Sequence, residues 1–297
     1  MKQFKRVFAG GLLLALVLPL LALAEEERGV GNVVYVPTPQ VVVEEMLRIA
    51  KVGPADFVID LGSGDGRMVR TAAKQFGARG FGVDLSDDLL RESNALAVSD
   101  GISDRARFIK EDLFETDLSK ATVITSYLLP EMNQRLRPKI LNLKPGTRVV
   151  AHDYHMGDWP SDENKEIIVP EKKVGNAGRS FVYLWIVPAK VGGKWQARIT
   201  LPAHAGALEL EFTQKFQKLE GSARSGGQPV AMLAPKIEGD QLSFSFFTKP
   251  GDSVTRHQFT GTVKGDTIDG VVKVGDGAAL QQLPWSAKVV QRIAGPQ

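Results

Sequence analysis

The segment from Phe57 to Arg67, FVIDLGSGDGR, constrains the fold of this chain more than any other stretch. An apolar run from Phe57 to Leu61 breaks into three alternating glycines, and apolar residues then recur at helical spacing as far as Phe76. Glycine adopts backbone conformations with positive φ at little cost. We therefore predict a buried strand that turns sharply into a helix, with the turn close enough to a ligand for backbone contact.

Strands and helices alternate through the first part of the chain. Apolar runs predict strands at residues 57–61, 80–84, 106–109, 122–127 and 147–151. An entry helix precedes them, with Thr38 as its N-cap and Pro39 at its first position. Short links between alternating strands and helices are typical of a doubly wound α/β fold with a mostly parallel sheet. Ligands bind such sheets at the carboxyl ends of the strands.

The composition changes near residue 190, after which short β-rich runs are separated by glycine-containing turns. The runs predict strands at residues 195–199, 208–212, 216–219, 230–233, 242–247, 257–263, 267–274 and 287–290. We expect a nucleotide-binding domain over residues 33–188 and an all-β meander or small barrel over residues 192–292. The second region has no paired acids, nucleophile triad or ligand cluster, so its sequence indicates no chemistry.

The amino terminus has the pattern of a targeting segment. Residues 1–6 carry three basic side chains, an apolar run covers residues 7–23, and small residues precede Glu25. This is the layout of a secretory signal over residues 1–24, and the same run could remain as a membrane anchor. We therefore expect an exported (periplasmic) protein, or one anchored in the inner membrane through residues 7–23.

Charge and cysteine content exclude several classes of function. Without residues 1–24 the chain keeps 34 basic and 34 acidic residues, and no basic cluster with interleaved aromatics follows. We therefore predict no nucleic-acid partner. The chain contains no cysteine, which excludes disulfides, thiolate metal sites and a cysteine nucleophile.

Acidic residues stand at the carboxyl ends of three predicted strands. Asp84, which ends the second strand, is placed to bind both hydroxyls of a ribose, and Asp112 is placed to meet an exocyclic amine. Asp60 and Asp65 flank the glycines and would repel a phosphate at short range. The site therefore favours a nucleoside that carries a cationic sulfur over a dinucleotide.

These residues carry a family resemblance. The motif DLGSGDGR, with an acid ending the next strand, resembles the S-adenosylmethionine site of the seven-strand (class I) methyltransferases. The segments YVPTP at 35–39, EDLF at 111–114 and YLLP at 127–130 are similar to a narrower family. Its members are the mitochondrial protein-lysine methyltransferases that modify the adenine nucleotide translocase and the c subunit of ATP synthase. The resemblance covers about residues 33 to 160 and implies a seven-strand sheet.

The resemblance also implies roles for individual residues. Those that would surround the S-adenosylmethionine cofactor are Asp60, Gly62, Gly64 and Asp65 at the methionine part, Asp84 at the ribose, Asp112 and Leu113 at the adenine, and Tyr35 and Thr38 as a cover. Ser126 and Tyr127 occupy the place of the methyl acceptor. The Asn/Asp-Pro-Pro-aromatic tetrad of many amine methyltransferases is replaced here by Ser126-Tyr-Leu-Leu-Pro130.

The implied activity is methyl transfer to a protein side chain, with lysine first among the acceptors. A lysine acceptor must lose its proton, and a partly buried slot with Tyr127 or Asp153 as proton relay would serve. The protein substrate could itself be membrane-associated. Two alternatives stay open: a nonenzymatic exported protein that binds an adenosine-like ligand and a partner, and a small-molecule methyltransferase.

The run His152-Asp153-Tyr154-His155 carries ligand types suitable for a metal. In a strand, however, the side chains of His152 and Asp153 would point to opposite faces. We therefore predict no metal site.

Overall fold

A computed structural model describes residues 29–30, 33–199, 208–249, 254–275, 277 and 280–293. The chain divides into two compact units, residues 1–35 and 36–297. In the first unit, strands β1 (Gly29–Val30) and β2 (Val33–Val34) pair as an antiparallel hairpin. The predicted targeting segment, residues 1–24, lies outside the described residues.

The second unit begins with a mixed sheet. In the described residues this sheet has seven strands, in the spatial order β5-β4-β3-β6-β7-β9-β8. Their bounds are β3 Phe57–Leu61, β4 Arg79–Asp84, β5 Ala106–Lys110, β6 Val123–Ser126, β7 Arg148–His152, β8 Glu163–Ile168 and β9 Arg179–Ile186.

Strands β3 to β7 pair in parallel, and β9 runs antiparallel between β7 and β8. All four residues of β6 are buried, as expected for a strand covered on both faces. The predicted doubly wound, mostly parallel seven-strand sheet is confirmed. Because five parallel strands end at one edge, the predicted site residues at their carboxyl ends lie along that edge.

The helices that cover this sheet are α1 Gln40–Ile49, α2 Arg67–Phe76, α3 Asp87–Ser99 and α4 Pro130–Ile140. Helix α3 has a side-chain cap, since the Leu89 amide donates to Ser86 Oγ. The predicted cap of α1 is wrong. Helix α1 starts at Gln40 with Pro39 in the cap position and no side-chain cap, because the Thr38 hydroxyl bonds to His152 instead.

The carboxyl-terminal region folds as a closed antiparallel barrel. Its strands are β10 Gly193–Ile199, β11 Leu208–Lys215, β12 Lys218–Ser225, β13 Gln228–Val230, β14 Leu233–Glu238, β15 Gln241–Thr248, β16 Thr255–Lys264, β17 Thr267–Val274 and β18 Gln281–Arg292. The β11–β12 pairing closes the ring, and β13 adds to its side. Aromatic side chains fill the interior, with the Phe244 and Phe259 rings stacked 4.6 Å apart. The predicted all-β region is confirmed, and of the two expected forms, a meander or a small barrel, the structure shows the barrel.

Two predicted strands of this region are wrong in their bounds. The expected strand at residues 216–219 includes the turn between β11 and β12, where Phe216 has a φ of 55°. The expected strand at residues 230–233 covers the end of β13 and the start of β14. The apolar character of these segments reflects packing, since Phe216 is buried in the sheet domain and Leu219, Val230 and Met232 pack against the barrel core.

The barrel joins the sheet through the β11–β12 hairpin. Phe216, at its tip, is buried in the core of the sheet domain and stacks 5.9 Å from Trp159. The Gln217 side chain accepts from Trp159 Nε1 at 2.9 Å and donates to the Pro160 carbonyl at 2.6 Å. The two domains therefore share apolar contacts and hydrogen bonds at this joint.

None of the helices in the described residues is long and apolar enough to cross a membrane.

Candidate active site

Three glycines shape the turn after β3. Gly62, Gly64 and Gly66 have φ values of 75°, 54° and 76°, which residues with a side chain rarely adopt. The Gly62 and Ser63 amides donate to the Val83 carbonyl at 3.0 and 2.9 Å, and this contact pins the turn to β4. The predicted glycine elbow is therefore present at the carboxyl end of β3, with Gly62 exposed there and Gly64 and Gly66 buried.

Asp84, at the end of β4, is held by backbone amides. One carboxylate oxygen accepts from the Gly64 amide at 2.9 Å, and the other accepts from the Ser86 amide at 2.9 Å. Each oxygen keeps a further lone pair that can accept a hydroxyl. The half-buried carboxylate is thus oriented in advance, as a ribose site requires.

The glycine elbow is strongly acidic. Asp60 is 6% exposed and accepts from Thr125 Oγ1 at 2.7 Å. Burial, with smaller contributions from the charges of Asp84 and Asp65, raises the pKa of Asp60 to about 7, against the opposing effect of the Thr125 hydrogen bond. Asp65 is paired with Arg67 at 2.6 Å. The elbow therefore favours a cationic ligand over a phosphate.

The predicted adenine residues lie beside Asp84. The Glu111 amide donates to the Asp84 carbonyl at 3.3 Å, so Asp112 and Leu113 begin where β4 and β5 end. The Asp112 carboxylate is exposed and accepts from the Phe114 amide at 2.8 Å, and Leu113 packs against the core of the sheet.

Of the two residues predicted to cover the cofactor, the structure relates Thr38 to the site but not Tyr35. Thr38 bridges two parts of the site, because its carbonyl accepts from Arg67 at 2.8 Å and its hydroxyl contacts His152 Nδ1 at 3.1 Å. Tyr35 ends the first unit, so its role over the cofactor stays a prediction.

The predicted acceptor residues follow β6. Ser126 is 2% exposed, and its Oγ has no hydrogen-bond partner among the described residues. The Tyr127 ring lies 3.9 Å from the His152 ring, and its hydroxyl donates to Asp153 Oδ2 at 3.4 Å. Burial, together with the Asp153 charge, raises the pKa of Tyr127. Tyr127 therefore keeps its proton and acts as a donor.

Asp153 is the centre of a buried polar cluster. Its φ of 61° places it outside β7, and its carboxylate accepts from the Phe181 amide at 3.0 Å and from the Lys172 ammonium. Burial alone would raise the pKa of Asp153, but these hydrogen bonds outweigh it and the pKa is lowered. Asp153 is therefore an ionised acceptor that is already engaged.

The expectation that His152 and Asp153 point to opposite faces is wrong. His152 Nε2 lies 3.5 Å from Asp153 Oδ1, because the positive φ of Asp153 ends the strand and redirects its side chain. His152 also contacts Ser180 Oγ at 2.9 Å, and burial lowers the pKa of His152 to about 4. This histidine is a neutral member of the cluster.

Sequence reasoning missed Lys172 and the site role of His152. The run at 152–155 was a signal for His152. No sequence signal pointed to Lys172, because it lies in the loop between β8 and β9 and contacts Asp153 only in the folded chain.

The residues fit S-adenosylmethionine. The glycine elbow offers close backbone approach, Asp84 offers oriented acceptors, and the acidic elbow suits a cationic methionine part. The Ser63 and Ser126 hydroxyls are both buried without a hydrogen-bond partner in the part of the chain that the structure describes, so polar ligand atoms could satisfy them.

Comparison with known proteins identifies the family. Residues 60–163 match the family model of the ANTKMT methyltransferase domain. A protein-lysine N-methyltransferase of Saccharolobus islandicus (strain REY15A) is 45% identical over 160 residues, which cover 53% of this chain and 96% of that protein. The chain belongs to this protein-lysine N-methyltransferase family. The predicted methyltransferase activity and cofactor class are thereby confirmed, and the nonenzymatic alternative is not supported.

Other relatives of this methyltransferase are more distant. A Xenopus laevis lysine N-methyltransferase, named for the c subunit of ATP synthase, is 30% identical over 129 residues, covering 43% of this chain and 56% of that protein. The chain thus spans about half the length of this relative. Among solved structures, an RNA methyltransferase from Salinibacter ruber in complex with S-adenosyl-L-homocysteine has 44% sequence identity and a TM-score of 0.47, and the match covers 52% of this chain and 96% of that one.

Proposed function

We propose that this chain transfers a methyl group from S-adenosylmethionine to the side-chain nitrogen of a lysine in a protein substrate. The observation that carries the proposal is the acidic glycine elbow beside the ends of β6 and β7, where Ser126, Tyr127 and Asp153 lie and where we place the acceptor slot. The lysine acceptor is supported by the Saccharolobus islandicus protein-lysine N-methyltransferase, since the match covers 96% of that protein.

The bound cofactor supplies an electrophilic methyl group on a cationic sulfur. Asp84 would hold the ribose, and the acids of the elbow would face the positive charge. The protein's task is then to align the amine about 3 to 3.5 Å from the methyl carbon. Tyr127 would line the slot and keep water away from the amine. The residue roles remain predictions that substitution can test.

Mass spectrometry of methylated lysines tests the proposal. Protein extracts from cells that lack the gene are incubated with purified protein and S-adenosylmethionine, and tryptic peptides are searched for new lysine methylation. We expect specific lysines to gain methyl groups. Methylation confined to small molecules would instead support the small-molecule alternative and contradict a protein substrate.

The variant Asp84→Asn tests the proposed cofactor site with little change in side-chain shape. The amide keeps one oxygen acceptor and a similar shape, but it loses the charge and one acceptor for a ribose hydroxyl. We expect calorimetry to show cofactor affinity at least about tenfold weaker, because one charge-assisted hydrogen bond to the ribose is lost. Unchanged affinity would remove Asp84 from the cofactor site.

We also propose that residues 1–24 direct export of the methyltransferase. Support comes from the basic, apolar and small-residue layout of the sequence alone. A reporter that is active only outside the cytoplasm, fused at the carboxyl terminus, should be active with the full chain and inactive when residues 1–24 are removed. Equal reporter activity in both would contradict export through this segment.

A further inference from the structure

Lys172 is a buried cation inside the acceptor region. Its side chain is 5% exposed, and its ammonium donates to Asp153 Oδ2 and to the Arg179 carbonyl at 3.0 Å. Lys172 Nζ also lies 3.4 Å from His152 Nε2. A buried ammonium is costly unless paired, so this placement requires the Asp153 carboxylate.

The loop between β8 and β9 delivers Lys172 to this place. The loop is closed by its own backbone, because the Val169 amide donates to the Gly178 carbonyl at 2.9 Å and the Gly178 amide donates to the Lys172 carbonyl at 3.0 Å. A Cβ added at Gly175 would lie 3.4 Å from the Tyr127 hydroxyl. The loop therefore packs directly against Tyr127 and Asp153, beside the proposed acceptor slot.

The charges of the cluster cancel. The titratable side chains that face Asp153 are those of Lys172 from the loop, His152 and Tyr154 from the end of β7, Tyr127 after β6, and Tyr183 from β9. Burial lowers the pKa of His152 and raises the pKa of Tyr127 and of Tyr183, so these three side chains are neutral. One carboxylate and one ammonium thus leave no net charge for an incoming lysine.

This balance matters for the acceptor. An unpaired carboxylate within about 4–6 Å of an amine raises the pKa of that amine by about 1–3. It would hold the acceptor as an ammonium, which has no lone pair to attack with. A neutral pair lacks this effect, and the partly buried slot then disfavours the charged form.

We propose that Lys172 is a positioning residue that balances the Asp153 carboxylate, so that the slot beside Tyr127 admits the acceptor lysine as its free amine. The inference rests on the proposed lysine methylation. The acceptor ammonium releases its proton to water before transfer. The amine lone pair then forms the nitrogen–carbon bond while the carbon–sulfur bond breaks. The electron pair of the broken bond stays on the sulfur, which becomes neutral.

The test is the pH dependence of kcat, which reports the pKa of groups in the bound complex. The acceptor is the protein found methylated in the extract experiment. In Lys172→Met we expect the kinetic pKa to rise by about one pH unit, so that kcat falls about tenfold below that pKa. KM for the acceptor should not rise, since an uncompensated Asp153 attracts the ammonium form. Lys172→Arg keeps the charge and should keep the kinetic pKa.

Lys173→Met is the matched control, because Lys173 is the exposed neighbour in the same loop, and its profile should equal that of the wild type. Asp153→Asn leaves the Lys172 charge uncompensated and should lower the kinetic pKa. The double variant Asp153→Asn with Lys172→Met removes both charges and should restore it. This pair keeps the test decisive if Lys172→Met alone does not fold.

Binding of S-adenosylmethionine, measured by calorimetry, should be the same within about twofold in all these variants, since none of the substituted residues lies in the glycine elbow. A wild-type protein that methylates no lysine would overturn both the proposed function and this inference. Wild-type transfer with the same kinetic pKa in the wild type, Lys172→Met and Asp153→Asn would overturn the inference alone.

Discussion

Asp60 is the residue whose protonation we expect to respond to the cofactor. Its raised pKa of about 7 means that it is mostly protonated below pH 7 without ligand. A cationic ligand in the elbow lowers that pKa, so binding near pH 6 should release a proton, and binding near pH 8.5 should not involve Asp60. Calorimetry of S-adenosylmethionine binding in buffers of different ionisation enthalpy measures this release. The same proton release in Asp60→Asn would contradict the assignment.

The same carboxyl makes folding depend on pH. Because its folded pKa lies above the unfolded value of about 3.9, Asp60 stabilises the fold fully below that lower value. This contribution is lost as the pH rises through about 7. Urea unfolding at pH 6 and pH 8 should therefore show a smaller loss of unfolding free energy over this interval in Asp60→Asn than in the wild type.

Tyr127 is expected to contribute as a donor and as an apolar face. Its raised pKa keeps the phenol protonated, and its hydroxyl donates to Asp153. We expect Tyr127→Phe to lower kcat by less than about tenfold, whereas losing a general base costs about 100-fold to 10,000-fold. Steady-state methylation rates measure this effect. A loss in that larger range would show that the hydroxyl moves a proton.

Site residues that lie at the ends of predicted strands could be predicted from the sequence. Residues that only the tertiary fold brings together could not. Gly62, Gly64 and Asp84 follow from strand ends that sequence patterns reveal. Lys172 and Asp153 meet only because the hairpin of β8 and β9 folds back across the end of β7. Strand β8 gives little strand signal, since five of its six residues, including all the charged ones, are exposed at the edge of the sheet.

At the scale of elements, the entry into α2 depends on Gly66. Its φ is 76°, and an added Cβ would lie 2.4 Å from the Phe108 ring. Gly101 has a similar φ of 68° but no neighbour within 4 Å. We expect Gly101→Ala to cost about 1–2 kcal/mol from its backbone conformation alone. Gly66→Ala adds a clash and should cost about 1–3 kcal/mol more.

Denaturant unfolding of the two glycine variants measures both effects. Equal costs would show that the Phe108 ring moves aside freely. A larger loss in Gly101→Ala would contradict the packing described for Gly66.

The order of elements in the sheet domain was predictable because strands buried on both faces and amphipathic helices have different periods. The closure of the barrel was not. Alternating strands such as β11 and β12 reveal which side chains face inward, but the pattern does not say which strands become neighbours. The turn at Phe216 was misread for a related reason, since tertiary packing places an apolar residue there.

At the scale of the whole molecule, we expect Phe216 to couple the barrel to the methyltransferase domain. Its ring is buried against Trp159, so Phe216→Ala should lower the unfolding free energy by about 3–5 kcal/mol. Phe247 is a matched control in the barrel, since it is 45% exposed and its substitution by Ala should cost far less. Thermal unfolding followed by tryptophan fluorescence compares the two. Equal effects would contradict a buried joint at Phe216.

The joint at Phe216 also fixes the position of the barrel relative to the sheet domain. A domain on a flexible linker can take many positions relative to its neighbour. The β11–β12 hairpin, whose tip is buried in the sheet domain, holds the barrel in one position instead. A protein bound to the barrel would therefore be held at one distance and one angle from the proposed acceptor slot.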